Sequence, residues 1–195
     1  MSKQDKEKWD QKYINKPQLL KPREASINIQ NFIRECHGKK AIDIACGAGR
    51  NSIYLAKNGF YVDAIDIAEV ALNSLNKYAQ DEKLSSFINT LHVDLDNFTP
   101  IKDNYNLAIM TNFLDRNFIK KAKNALHVEG IFIVETYMKD ENNEKIDSNP
   151  SNLLTKNELK DIFTSWDILY YDEFENEQQE IYNMKKQVIV AKKIS

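Results

Sequence analysis

The chain has little of what marks several common protein classes. Two cysteines, Cys36 and Cys46, are too few for a disulfide framework among 195 residues. No apolar run approaches the roughly 18–20 residues of a membrane-spanning helix, and the start, MSKQDKEKW, lacks the apolar core of a signal peptide. A net charge of −2 gives no basic field for nucleic acid. We therefore expect a cytoplasmic protein that binds neither membrane nor nucleic acid.

Potential metal ligands are also sparse. His92 and His127 have no cysteine or histidine partner at the spacing that metal sites use. No metal is expected, and the length suits a single domain.

The most informative stretch is AIDIACGAGRNS, residues 41–52. Its apolar start is typical of a buried parallel strand. Gly47 and Gly49 then allow a sharp turn and let a ligand approach the backbone. Asn51 or Ser52 is predicted to cap the helix that follows, leaving its first N–H groups near the turn. This is the outline of a nucleotide-type cofactor site.

A second strand, Tyr61–Asp66, ends in a carboxylate about twenty residues later. An acid at this point can accept hydrogen bonds from both hydroxyls of a ribose. A dinucleotide site would need G-x-G-x-x-G, but Ser52 stands where the third glycine belongs. Asp43, in the first strand, would repel a phosphate and suit an ammonium or a sulfonium. The acid therefore favours an amino-acid nucleoside such as S-adenosylmethionine over a pyrophosphate.

These residues resemble motif I of the class I S-adenosylmethionine-dependent methyltransferases, in the version found in small bacterial tellurite-resistance-type enzymes. The stretch Asp43–Ser52 is similar to their D-x-x-C-G-x-G-R-N-S loop, and Trp9–Tyr13 to their W-D-x-x-Y opening. Segments Thr111–Arg116 and Val134–Tyr137 also resemble that group, so the similarity covers nearly the whole chain. Ala45 departs from it, because many relatives have glycine there; we expect a slightly narrower loop that still binds.

The order of elements predicts an α/β fold, since strand and helix patterns alternate. Strands are predicted at Lys40–Ala45, Tyr61–Asp66, Ile88–Val93, Leu107–Thr111, Ile131–Tyr137, Trp166–Phe174 and Gln187–Lys192. Helices are predicted from Ser26 to Glu35, from Ala68 to Glu82, from Phe118 to Leu126 with an end at Gly130, and from Lys156 to Phe163 with a Thr155/Glu158 capping box. Residues 172–180 are expected to form a solvated charged loop. The resemblance implies a Rossmann-like sheet of seven strands, mostly parallel, with an antiparallel C-terminal hairpin and helices on both faces.

The resemblance also implies the cofactor contacts. Asp43 would face the methionine end, the Cys46–Gly49 backbone would cradle it, Asp66 would hold the ribose, and Asp94 with Leu95 would hold the adenine. Thr111 and Asn112 would line the transfer site, because ligands bind beyond the carboxyl ends of parallel strands. The full set predicted to bind S-adenosylmethionine is Trp9, Tyr13, Asp43, Ala45, Cys46, Gly47, Gly49, Asn51, Asp66, Ile67, Asp94, Leu95, Thr111 and Asn112.

Each assignment has a structural alternative. Asp43 could be a buried acid that pairs with a backbone amide, Asp66 could cap the next helix, and Asp94 could be a solvated loop carboxylate. Trp9 and Tyr13, at i and i+4, could staple a helix onto the core, form a lid over the cofactor, or do both.

The acceptor pocket is less defined. Its candidates are Tyr13, Arg23, Asn112, Arg116 and Tyr137, of which the two arginines could steer an anionic acceptor or be surface ion-pair partners. Catalytic side chains cannot be named. Residues 26–195 would form the core of the single domain (1–195), and residues 1–25 a segment that folds over the site.

The sequence thus predicts a methyltransferase that moves a methyl group from a sulfonium to a small-molecule acceptor by in-line displacement. A methyltransferase acting on protein or tRNA is disfavoured by the mild acidity and by the lack of an evident recognition domain. A non-catalytic S-adenosylmethionine-binding protein and a nicotinamide-dependent oxidoreductase are the remaining alternatives. The oligomeric state is left open.

Overall fold

The computed structural model describes residues 3–144, 149–176 and 183–195. This part of the chain contains six α-helices and seven strands. The helices are α1 Lys3–Asn15, α2 Ile27–Phe32, α3 Arg50–Lys57, α4 Glu69–Asp81, α5 Arg116–Ala125 and α6 Glu158–Ile162. The strands are β1 Lys40–Ile44, β2 Tyr61–Asp66, β3 Ile88–His92, β4 Tyr105–Thr111, β5 Leu126–Tyr137, β6 Asp167–Glu175 and β7 Lys185–Lys192.

The strands form one sheet in the order β3-β2-β1-β4-β5-β7-β6. Neighbours from β3 to β5 pair in parallel, whereas β7 pairs antiparallel with both β5 and β6. The predicted mostly parallel seven-stranded sheet with an antiparallel C-terminal hairpin is confirmed. The chain order reverses between β1 and β4, which is where open parallel sheets bind their ligands.

Helices cover both faces of the sheet. On one face, Phe118 of α5 and Leu159 of α6 belong to the same buried cluster as Phe132 of β5. On the other, α2, α3 and α4 contribute side chains such as Ile29, Leu55 and Leu75. Strands buried on both faces explain the continuous apolar runs of β1 and β4.

The end of α5 differs from the prediction. The helix stops at Ala125 and runs directly into β5, so Gly130 lies within a strand and does not end a helix. The pairing of β4 with β5 slips between Tyr105 and Leu107, which places the residues before Ile131 in a bulge. A Cβ on Gly130 would lie 2.8 Å from the His127 carbonyl oxygen. Glycine at this position therefore avoids a steric clash within the bulge.

The C-terminal part brings two further corrections. Helix α6 begins at Glu158 rather than at Lys156, because Asn157 before it has a left-handed backbone with φ of 60°. The Glu158 carboxylate still accepts from the Thr155 N–H at 2.8 Å, which is one half of the predicted capping box. The expected charged loop over 172–180 is partly wrong, since 172–175 belong to β6; residues 177–180 lie outside the described part.

No helix within the described ranges has the length and apolar character needed to cross a membrane.

Candidate cofactor site

The turn between β1 and α3 has an unusual backbone. Ala45, Gly47 and Gly49 have φ of 54°, 56° and 76°, the left-handed region that only glycine enters freely. Ala45 is therefore in a conformation that costs an alanine about 1–2 kcal/mol. A Cβ on Gly47 would lie 2.6 Å from the Tyr13 hydroxyl oxygen. The turn thus presents a bare backbone surface, with Tyr13 of α1 directly against it.

Three N–H groups of this turn donate within the protein. The Cys46 N–H donates to the Ile65 carbonyl and the Gly49 N–H to the Cys46 carbonyl, both at 3.0 Å. The Gly47 N–H donates to Asp66 Oδ2 at 2.7 Å. These bonds fix the shape of the turn, and the absence of side chains at Gly47 and Gly49 lets a ligand approach its backbone closely.

Asp43 supplies the cap that was predicted for Asn51 or Ser52, and that prediction was wrong. Helix α3 follows Gly49, which has no side chain to cap it. Asp43 Oδ2 accepts instead from Ser52 Oγ at 2.6 Å, and the Ser52 N–H also bonds this carboxylate. Asp43 is 1% exposed. Burial raises its pKa to about 7, and the nearby Asp66 charge adds to the rise. These contacts match the buried-acid alternative, and the predicted role toward the methionine end stays a prediction.

Asp66 connects the turn to the start of α4. Besides the bond from Gly47, its Oδ1 accepts from the Ala68 N–H at 2.8 Å, so the capping alternative describes part of what it does. Burial raises the pKa of Asp66, against hydrogen bonds from Ala68, Gly47 and Ile67 that lower it. A carboxylate has about four lone-pair sites, and these three donors leave about one of them for a further donor. The ribose contact stays a prediction, as does that of the buried Ile67 beside it.

The predicted adenine residues lie just after β3. Asp94 is half-buried, and its oxygens accept from the Asp96 N–H at 3.0 Å and from Asn97 Nδ2 at 3.1 Å. Leu95 is buried. The local bonds of Asp94 are those of a loop carboxylate, and they leave its adenine role untested.

Asn112 contains an unpaired oxygen at the carboxyl end of β4. Its backbone has φ of 56°, and its N–H donates to the Glu135 carbonyl at 2.8 Å. Its side-chain Oδ1 is the one buried side-chain oxygen or nitrogen in the described part of the chain that has no hydrogen-bond partner. Buried polar atoms are nearly always bonded. A ligand with a hydrogen-bond donor would satisfy this oxygen.

A buried polar network beside Asn112 was missed from the sequence. Glu135 Oε2 accepts from Ser26 Oγ at 2.5 Å and from Asn28 Nδ2 at 3.0 Å. Glu135 Oε1 lies 3.5 Å from the Lys186 ammonium, which is 3% exposed. The signal was available, because Glu135 interrupts an otherwise apolar central strand, but nothing in the sequence indicated its partners.

The network continues toward the turn through Asn51. The Ser26 N–H donates to Asn51 Oδ1 at 3.1 Å, and Asn51 Nδ2 donates to Thr111 Oγ1 at 2.9 Å. Asn51 therefore holds the start of α2 against the end of β4. This structural role replaces the helix cap that was predicted for it.

Tyr13 of α1 lies against the turn, and the lid role of residues 1–25 stays a prediction. The Trp9 and Tyr13 rings are 6.5 Å apart on α1. Burial raises the pKa of the Tyr13 phenol, and the Asp66 charge adds to this, whereas Arg23 opposes it. The exposed Arg23 is thus close to Tyr13 and remains a candidate for the acceptor pocket.

Arg116 is held away from such a role. Its Nε donates to Glu158 Oε1 at 2.6 Å and its Nη2 to Glu158 Oε2 at 3.1 Å. Its Nη1 donates to the Ser151 carbonyl at 2.6 Å. The ion-pair alternative is what the structure contains, and we withdraw Arg116 as a residue that steers an acceptor. Tyr137 is half-buried, with the Lys186 ammonium 5.0 Å from its ring centroid.

Comparisons with known proteins show which family the chain is similar to. The family model described as tellurite resistance protein TehB matches residues 4–187. A relative from Haemophilus influenzae, named "probable S-adenosyl-L-methionine-dependent methyltransferase TehB", is 32% identical over 159 residues, which are 75% of this chain and 51% of that protein. The chain therefore spans about half the length of the curated relatives it matches.

Solved structures give the same fold. The crystal structure of TehB from Haemophilus influenzae superposes with a TM-score of 0.75 and 26% identity, over 85% of this chain and 61% of that one. The geranyl diphosphate C-methyltransferase of Streptomyces coelicolor, solved with Mg²⁺, geranyl diphosphate and S-adenosyl-L-homocysteine, gives 0.69 at 9% identity, over 87% and 80%. The second likeness shows the fold alone. By its sequence and by its Rossmann-like methyltransferase fold, the chain belongs to the TehB tellurite-resistance family.

Proposed function

We propose that this protein is an S-adenosylmethionine-dependent methyltransferase that transfers a methyl group to a small-molecule acceptor. The observation that carries the proposal is a bare glycine turn with two buried carboxylates, Asp43 and Asp66, around it and Tyr13 against it. The family supports the cofactor and the reaction type, because its Haemophilus influenzae member is named a "probable S-adenosyl-L-methionine-dependent methyltransferase".

The residues present fit this cofactor. The Asp43 carboxylate suits a ligand with positive charge and would repel a phosphate beside it, and the Asp66 carboxylate suits a ligand with hydroxyl donors. The unpaired Asn112 oxygen suits an ammonium or a hydroxyl. Asp66 would hold the ribose, Asp43 the charge of the methionine end, and Asp94 with Leu95 the adenine. When bound, S-adenosylmethionine supplies a methyl group activated on a sulfonium.

The chain's own residues would orient the reactants and exclude water. In-line transfer needs the acceptor held close to the methyl carbon, and a dry site strengthens the electrostatics around it. Tyr13, Arg23, Asn112 and Tyr137 are the side chains that would shape the acceptor side. A thiolate, a selenide or a reduced metalloid needs no general base, so we propose this class of small nucleophile.

The N-terminal segment would act as a lid. Tyr13 already touches the turn, and the segment leads into Ser26, which the buried network fixes. Deleting residues 1–22 should weaken cofactor binding or increase uncoupled turnover. Unchanged calorimetric affinity together with unchanged activity would contradict the lid.

Cys36 and Cys46 are free thiols, and we propose that the protein acts in the cytoplasm.

Gly47→Ala tests the turn with a matched control. The new methyl group would meet the Tyr13 hydroxyl, and a positive φ adds backbone strain. Gly59→Ala carries comparable strain at φ of 80°, with nothing within 4 Å of the added Cβ. We expect Gly47→Ala to lose most of its S-adenosylhomocysteine affinity in calorimetry, and Gly59→Ala to keep it. Equal affinities in the two variants would remove the turn from the site.

The cofactor class and the enzyme class need separate measurements. S-adenosylmethionine and S-adenosylhomocysteine should raise the melting temperature, and NAD should not, since selective binding stabilises the native state. Asp66→Ala should abolish the first two shifts. Formation of S-adenosylhomocysteine with thiols, and with selenide and telluride generated from their oxyanions by an added reductant, would then distinguish an enzyme from a cofactor-binding sensor. A stabilised protein with no turnover over that panel would favour the sensor.

A further inference from the structure

Helix α4 begins without a cap of its own. Its N-cap residue, Ala68, has no side chain that can accept a hydrogen bond. The N–H of Val70, in the first turn, is instead bonded by Asp10 Oδ1 at 3.0 Å. Asp10 belongs to α1, 60 residues earlier in the chain. A side chain from a distant helix therefore satisfies one of the orphan donors of α4.

A second contact, which includes an exposed ion pair, lies at the same place. Lys6 donates to Asp10 Oδ2 at 2.9 Å and to Glu69 Oε2 at 3.1 Å. Partial burial raises the pKa of Asp10, but the hydrogen bonds from Lys6 and from the Val70 N–H more than compensate, and the pKa is lowered. Asp10 is thus a carboxylate at the positive end of α4, where a negative charge is stabilised.

The start of α4 also leads to the cofactor turn. Asp66 bonds the Ala68 N–H with one oxygen and the Gly47 N–H with the other. Tyr13 follows Asp10 by three residues on α1, a spacing that places both side chains on the same side of a helix. Asp10 and Tyr13 therefore contact two parts of one unit, the N-terminus of α4 and the turn that Asp66 ties to it.

We propose that Asp10 is a positioning residue for cofactor binding, which caps α4 from α1 and so holds Tyr13 over the turn. It acts through Tyr13 and requires no contact of its own with the cofactor. The inference rests on the proposed function, because the turn is the site for S-adenosylmethionine. It also explains why an acid follows the tryptophan in the W-D-x-x-Y segment of this chain.

The test uses Trp9, next to Asp10, as a reporter. Trp9 and Trp166 are the two tryptophans of the chain, so Trp166→Phe leaves Trp9 as the single emitter. In this background, Asp10→Ala removes the cap and Asp10→Asn keeps an oxygen that can accept from Val70. Glu69→Gln is the control, because it disturbs the Lys6 contact and leaves the Asp10 bond in place.

Asp10→Ala should shift Trp9 emission to the red and weaken S-adenosylhomocysteine binding about fivefold to tenfold, the effect of losing one helix cap. The KM for S-adenosylmethionine should rise by a similar factor, with kcat at saturation changed less. Asp10→Asn should restore most of both, and Glu69→Gln should change neither. Far-UV circular dichroism checks that each variant is folded.

Three results would overturn the inference: natural affinity in a folded Asp10→Ala, an emission shift without any change in affinity, or failure of Asp10→Asn to rescue. If Asp10→Ala does not fold, Asp10→Asn and Tyr13→Phe test the inference instead. Asp10→Asn must then bind S-adenosylhomocysteine normally, and Tyr13→Phe must bind it weakly. If the natural chain binds neither S-adenosylmethionine nor S-adenosylhomocysteine, the proposed function fails. The emission of Trp9 would still report whether Asp10 docks α1.

Discussion

The stability of the protein should fall as the pH rises from 5 to 8, and Asp43 should be a main cause. Asp43 is 1% exposed, and burial raises the pKa of its carboxyl group from 3.8 to about 7. Between these two pKa values the folded protein keeps a proton that the unfolded chain releases. The free energy of unfolding must therefore decrease with rising pH across this window, and the loss is complete above pH 7.

The magnitude follows from the width of the window. Each pKa unit corresponds to about 1.4 kcal/mol, so a rise of about three units destabilises the fully ionised state by about 4 kcal/mol. From pH 5 to pH 8 about two units of the window are crossed, which gives about 3 kcal/mol. Asp43→Asn cannot ionise and should lose this dependence, while its amide oxygen can still accept from Ser52.

Urea unfolding at pH 5, 6, 7 and 8 measures the effect. The variant should gain about 3 kcal/mol relative to the natural chain between the first and last pH. Asp81→Asn, which removes an exposed carboxylate at the end of α4, should run parallel to the natural chain. Parallel curves for Asp43→Asn and the natural chain would refute the reasoning, as would an equal change in Asp81→Asn.

Other consequences can be measured on the same protein. Ala45→Gly should stabilise the chain by about 0.5–1 kcal/mol, because relief of the left-handed alanine exceeds the added entropy of the unfolded glycine; a lower melting temperature would contradict the strain. Lys186→Met should cost about 3–5 kcal/mol in urea unfolding by leaving Glu135 buried without a cation, and Glu135→Gln with Lys186→Met should recover most of it. Additive losses in that double variant would show that the two groups do not interact. The preference for S-adenosylmethionine over S-adenosylhomocysteine should grow up to about tenfold from pH 6 to pH 8, because a sulfonium favours ionised Asp43. Calorimetry at both pH values gives the ratio of the two affinities. A ratio that stays flat in the natural chain, or that also grows in Asp43→Asn, would exclude this coupling.

The sheet could be predicted from the sequence because its signals are local. Strand β2 matches its predicted bounds, and β1, β3 and β7 differ by one or two residues. Ser26 caps α2 by accepting from the Asn28 N–H, as its position indicated. The apolar runs and the two glycines specify these elements without reference to distant residues.

Contacts between side chains of different helices and strands could not be predicted in this way. The capping group of α3 comes from Asp43 on a strand, and a cap for α4 comes from Asp10 on another helix. The sequence offered only local caps, Asn51 or Ser52 for α3 and Asp66 for α4, because cap patterns describe only neighbouring residues. The same holds for Glu135 and Lys186, which lie 51 residues apart and meet only because β5 and β7 pair.

Two buried carboxylates lie beside the cofactor turn, and their environment favours a ligand with positive charge. Burial raises the pKa of both Asp43 and Asp66, and the charge of Asp66 raises that of Asp43 further. Ionising these groups is therefore costly in the free protein. A cationic ligand offsets this cost, because a positive charge nearby lowers the pKa of a carboxyl group, whereas an anionic group beside Asp43 would raise it further. The electrostatics around Asp43 therefore favour a sulfonium over a phosphate at that place.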